Sequence, residues 1–150
     1  MASVVWDHGE EKRMLSIEEY EQLKRAAHVR RPQHSPTKRD GRVCIDFDGV
    51  IHRYRYGWQG GELYDEPCNE ALESLNKLVA AGFEVVIFTT RGGTPEGIQA
   101  VAEWIHYWQI KLGLPLHLYE ITNVKPPAIA YVDDRAIRFT NWTDVLRYFA

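Results

Sequence analysis

From Arg42 onward, short apolar runs alternate with stretches of helical periodicity, and this alternation restricts the fold more than any other feature of the chain. Strand–helix–strand order points to a parallel sheet, because parallel neighbours need a long crossover and a helix supplies it. Residues 43–47 form the first apolar run. Residues 84–89 form the second and are near-continuously apolar, as a strand covered on both faces must be. Between them Leu72, Leu75, Leu78 and Val79 recur at helical spacing over about residues 69–81, and Gly82 is placed to end that helix. Thr94 as N-cap, with Pro95 at the first helical position, opens a second helix. That helix is expected to bury Ile98, Val101, Ala102, Ile105 and Leu112 before Gly113 stops it. Further strands are expected near residues 116–119 and 129–132, and Thr143 is expected to cap a last helix running to about Phe149. The fold class that follows is α/β: a Rossmann-like parallel sheet with flanking helices, over residues 43–150.

The residues before it read as a small N-terminal appendage. Val4-Val5-Trp6 and a turn-like Asp7-His8-Gly9-Glu10 suit a hairpin. Ser16 with Glu19 forms a capping box, and Leu15 with Tyr20 a hydrophobic staple, so a short helix is expected within residues 1–29. Residues 30–42 hold two prolines and no periodicity, the marks of a basic linker. The formal net charge of −3 gives no general attraction to nucleic acid or to anionic membranes. It hides an asymmetry, since from Gln22 to Arg42 the cations Lys24, Arg25, Arg30, Arg31, Lys38, Arg39 and Arg42 face only Asp40. Cys44 and Cys68 have neither metal-ligand spacing nor a disulfide framework. No apolar run is long enough for a membrane span or a signal peptide, so no membrane association and a cytoplasmic location are expected.

The first strand ends unusually, as Asp46-Phe47-Asp48-Gly49. Side chains two residues apart share a face of a strand, so the two carboxylates project together and repel. Such a pair is tolerated when a positive group sits between its members or when one holds a proton, and both conditions suit chemistry on a phosphate. The second strand ends Phe88-Thr89-Thr90-Arg91, Lys125 precedes the fourth strand, and that strand ends Asp133-Asp134-Arg135. In open parallel sheets ligands bind beyond the carboxyl ends of the strands, so these groups are expected to gather at one edge.

The four motifs, in this order, resemble the haloacid dehalogenase superfamily and specifically its phosphatase branch. The resemblance covers about residues 43–150. It implies a HAD-like core in which Asp46 is the nucleophile forming an aspartyl phosphate, and Asp48 the acid that protonates the leaving oxygen and then the base that activates water. It implies a Mg²⁺ ion held by the Asp46 carboxylate, the Asp48 backbone carbonyl and Asp133, with Asp134 contributing through water or orienting Lys125. Thr89 and Lys125 would bind the phosphoryl oxygens. The acid at position 48 favours phosphoryl transfer to water, with phosphotransfer to an alcohol less supported.

Neither gap between motifs is long enough for a cap domain, so the resemblance implies a capless member with an open site. Residues 52–58, His52-Arg53-Tyr54-Arg55-Tyr56-Gly57-Trp58, read as a flap. If extended, it sets Arg53 and Arg55 on one face and the rings on the other, a grip for an anionic or aromatic leaving group; the alternative is a surface hairpin whose aromatics pack on the domain. Arg91 is either a contact for a second phosphate or an exposed loop charge. The expected substrate is a small phosphorylated metabolite or nucleotide, with a phosphorylated nucleic-acid end also admitted. The N-terminal segment offers a homo-oligomer contact that lids the site. The competing class is a catalytically silent module that binds a phospholigand or nucleic acid.

Overall fold

The computed structural model describes residues 41–150, together with two exposed helical positions upstream, Glu18 and Gln22. The expected hairpin, the capping box, the staple and the linker before Gly41 lie outside the described residues. The elements are strands β1 (Arg42–Asp46), β2 (Glu84–Phe88), β3 (Glu120–Thr122) and β4 (Ala130–Val132) and helices α1 (Ala71–Ala80), α2 (Pro95–Lys111) and α3 (Trp142–Arg147), with α1 and α2 linking the first three strands and a loop without a helix linking β3 to β4. All strand pairs are parallel, in the order β3-β2-β1-β4. The architecture is therefore a four-stranded Rossmann-like α/β sheet. The chain steps outward from β1 through β2 to β3, then returns to the other side of β1 as β4. The reversal lies between β1 and β4, where a doubly wound sheet opens a crevice at its strand ends.

Val43, Ile45 and Phe47 from β1 and its end, with Val85 and Ile87 from β2, pack against Leu72 and Leu75 of α1 and Val101, Trp104 and Ile105 of α2. Burying a residue of this size stabilises a fold by about 1.5–3 kcal/mol, so this layer fixes where β1 ends. The β1 chain then wraps tightly: the amides of Val50, Ile51 and His52 all donate to the Phe47 carbonyl.

Several local expectations are corrected. Arg42, placed in the linker by its charge, is the first residue of β1 and pairs with Glu84 at 3.3 Å. In α2, Thr94 Oγ accepts from the Gly97 amide at 3.1 Å as expected, but the buried ring is Trp104, while Leu112 is exposed. Trp104 earns that position with a hydrogen bond from Nε1 to the Asp65 carbonyl at 3.1 Å. The third strand begins at Glu120, later than expected, because its ladder pairs Glu120 with Val86 and leaves residues 116–119 as an approach. The last helix is capped by Asn141, whose extended backbone lets its side chain accept from the Asp144 amide at 3.0 Å; Thr143 lies inside the helix. Among the described residues no helix is long and apolar enough to cross a membrane.

Candidate active site

A cleft of about 200 Å³ opens at the carboxyl ends of β1 and β2, lined among others by Asp46, Asp48, Thr89, Thr90, Asp134 and Arg135. Gly49 makes the junction possible. Its φ is +87°, and a Cβ there would overlap the Asp134 carboxylate, so only glycine lets the β1 turn approach the segment after β4 this closely.

Asp46, Asp133 and Asp134 each offer an oxygen within 4.8 Å of the others. Burial, the nearby Asp133 and then Asp134 push the Asp46 carboxyl up to about 7, against a smaller opposing effect from the Phe47 amide. Three hard oxygen donors crowded in this way match what Mg²⁺ binds and not what thiolate- or imidazole-seeking metals prefer. The donor set fits the divalent ion implied by the sequence, though the Asp48 side chain takes no part in it.

Asp48 has other partners. Arg91 grips it in a fork, Nε to Oδ2 at 2.8 Å and Nη2 to Oδ1 at 3.1 Å. His52 Nδ1 lies 2.8 Å from Oδ1. Burial alone would raise the Asp48 carboxyl, but the hydrogen bonds from His52 and Arg91 outweigh it and hold the group below the ordinary carboxylate range. The two aspartates are thus unequal, as expected, but the order is reversed. Without a cation Asp46 is the one that favours a proton, because its neighbours are acids, while the neighbours of Asp48 are donors.

No family model, curated protein or solved structure matches the chain. The site therefore rests on its own geometry.

Thr89 is buried, and its Oγ accepts from the Arg91 amide at 3.2 Å, capping a single turn of 3₁₀ helix at Thr90–Gly93 that the sequence reading did not foresee. Thr89 and Thr90 both line the cleft. Lys125 does not: its Nζ lies 4.4 Å from the centre of the Tyr131 ring. The three arginines expected to meet substrate are engaged elsewhere. Arg53 bonds Asn69 Oδ1 at 2.7 Å and Glu66 at 3.2 Å, and Arg55 pairs with the buried Asp65 at 2.6 Å. Arg91 is buried on Asp48. The flap is not an extended hairpin either. Tyr54 takes a left-handed φ of 57°, which breaks the alternation of faces and sets this residue in the cleft wall.

Three residues were not assigned a role from sequence. His52 is fully buried beside Asp48, four positions on; that spacing across a tight turn was its only signal. Tyr54 gave none that separated it from its ring-bearing neighbours. Arg135 lines the cleft, and among the described residues its side chain makes no ion pair; its signal was its place after Asp133-Asp134.

Proposed function

We propose that this chain is a Mg²⁺-dependent phosphomonoester hydrolase of the haloacid dehalogenase type, without a cap domain, acting through an aspartyl phosphate on Asp46. The observation that supports it best is the convergence of Asp46, Asp48, Thr89 and Asp134, from three separate strand ends, on one cleft at the sheet's reversal point.

Asp46, Asp133 and Asp134 would hold the ion, with the Asp48 backbone carbonyl as a further donor. When bound, it offsets the repulsion between a carboxylate nucleophile and an anionic phosphate, which amounts to several kcal/mol for unit charges at ~4 Å and an effective dielectric of ~20. The arriving phosphate anion favours protonation of Asp48, which takes a proton from solvent; Asp46 then attacks phosphorus, the bond to the leaving oxygen breaks, and that oxygen takes the proton from Asp48. Water next attacks the aspartyl phosphate and returns a proton to Asp48, so one water is consumed per ester. Thr89, Thr90 and Arg135 supply donors toward the phosphoryl oxygens, and Lys125 joins them only by leaving Tyr131. A cleft of about 200 Å³ leaves room for a small phosphorylated metabolite or the phosphate end of a nucleotide.

The test is hydrolysis of p-nitrophenyl phosphate and of a panel of phosphate esters. Activity should require Mg²⁺ and vanish in Asp46→Asn. A wild-type protein inactive across the panel with Mg²⁺ present sinks the reading.

A further inference from the structure

Asp48 is the cleft carboxylate whose oxygens are already largely engaged. An ionised carboxylate offers about four acceptor positions. Oδ1 receives Arg91 Nη2 and His52 Nδ1, while Oδ2 receives Arg91 Nε alone. One position on Oδ2 is left.

The hydrogen on His52 can be placed from its other nitrogen. Nε2 accepts from the Asp65 amide at 3.1 Å, so it carries no hydrogen, and the ring hydrogen sits on Nδ1, facing Asp48. The ring cannot turn to do otherwise. It is fully buried, stacked on Phe47 at 5.5 Å and met edge-on by Trp104 and Tyr64, each at 5.4 Å. Asp65 is itself anchored: Arg55 holds its carboxylate and Trp104 Nε1 its carbonyl. Arg91 is equally constrained. Its Nη1 donates to the Gly61 carbonyl at 2.9 Å, its amide to Thr89 Oγ, and its guanidinium lies 4.9 Å from the Trp58 ring centre. Gly97 lets α2 pack directly on the Arg91 carbonyl, where a Cβ would overlap it.

We infer that His52 and Arg91 are positioning residues that dedicate a single oxygen of Asp48, Oδ2, to proton exchange in the cleft. This rests on the phosphohydrolase reading. The proton passes from Oδ2 to the leaving oxygen as the phosphorus–oxygen bond breaks, and returns to Oδ2 from the water that attacks the aspartyl phosphate.

The consequence is a dependence on the leaving group. p-Nitrophenolate departs without a proton, whereas the alkoxide of β-glycerophosphate needs one. His52→Leu and Arg91→Lys should therefore lower kcat on β-glycerophosphate by about 100-fold, the scale of lost general acid catalysis. On p-nitrophenyl phosphate the first turnover, read as the burst of nitrophenolate, should slow by less than about threefold, although steady turnover falls because water activation needs the same oxygen; His52→Asn, which keeps an N–H on the Asp48 side, should recover part of the alkyl-ester rate. A nitrophenolate burst slowed as much as alkyl-ester turnover would overturn the inference while leaving the hydrolase reading in place. Wild-type protein inactive on both esters would overturn that reading instead. Should the variants fail to fold, nitrogen NMR of His52 in the wild-type protein decides: hydrogen on Nδ1 supports the arrangement, and hydrogen on Nε2 overturns it.

Discussion

The two walls of the cleft are built on opposite terms. On the flap side, Asp48, His52, Arg91, Asp65 and Arg55 form a continuous chain of hydrogen bonds, with His52, Asp65 and Arg91 buried. On the β4 side, Asp133, Asp134, Lys125 and Arg135 are exposed, and so is every residue of the edge strand itself. The first wall balances its charge internally, because each carboxylate has its own donors. The second gathers Asp133 and Asp134 around Asp46, and among the described residues no ion pair reaches these three acids. Under the hydrolase proposal this contrast is useful, since a proton carrier on the first wall would keep its aim while a cation and phosphate came and went at the second.

The largest effect expected from breaking this contrast is on activity. Asp46→Asn removes the proposed nucleophile between the walls and should lower kcat on p-nitrophenyl phosphate by at least about a thousandfold. Next comes the cation. Mg²⁺ at about a hundred times its dissociation constant should add about 2.7 kcal/mol to unfolding stability in urea melts, and EDTA should remove it.

The pH dependence has a definite sign. The Asp46 carboxyl titrates near 7 in the fold, above its ordinary range near ~4 in an unfolded chain. The folded protein holds that proton more tightly, so the associated stability is complete below pH ~4 and is lost as pH rises through about 7. Melts in EDTA across that window should show the decline, and Asp46→Asn should flatten it. A flat wild-type profile would mean that the acids of the second wall do not crowd Asp46.

Smaller effects separate the walls further. Gly49→Ala strains a positive φ and pushes on Asp134, and should cost about 1–3 kcal/mol in urea melts while weakening Mg²⁺ binding. Arg135→Gln should raise KM for phosphate esters about tenfold with kcat little changed, the scale of one charge-assisted hydrogen bond. Lys125→Ala should change stability by less than about 0.5 kcal/mol, as an exposed contact with Tyr131 implies. A larger KM effect from Lys125 than from Arg135 would reverse their assigned places.

What sequence could show tracks the range of the interactions involved. The β1 and β2 strands, the Thr94 cap and the carboxylates at strand ends were legible because each depends on neighbours a few positions away. Gly49 was visible as a motif, but its reason was not, since the colliding group, Asp134, belongs to a different strand's end. The Arg91 fork on Asp48 spans 43 positions and leaves no local pattern, so Arg91 read as either a contact for a second phosphate or an exposed loop charge. Arg55 misled for the same reason, because its partner Asp65 is buried across the flap. Asn141 and Thr143 both suit a cap, and only the backbone geometry chooses between them.

The flap hangs like a span between two fixed posts. One post is the bridge of His52 to Pro67, and the other is the hold of Arg91 on Gly61. The tip between them carries Tyr56 and Trp58, both largely exposed. Trp58 lies over the Arg91 guanidinium and so belongs to the second post, whereas Tyr56 touches neither support and can change without disturbing them. Under the hydrolase proposal, Tyr56 is therefore the position of the tip at which the preference among esters can be altered while the hold on Asp48 stays intact.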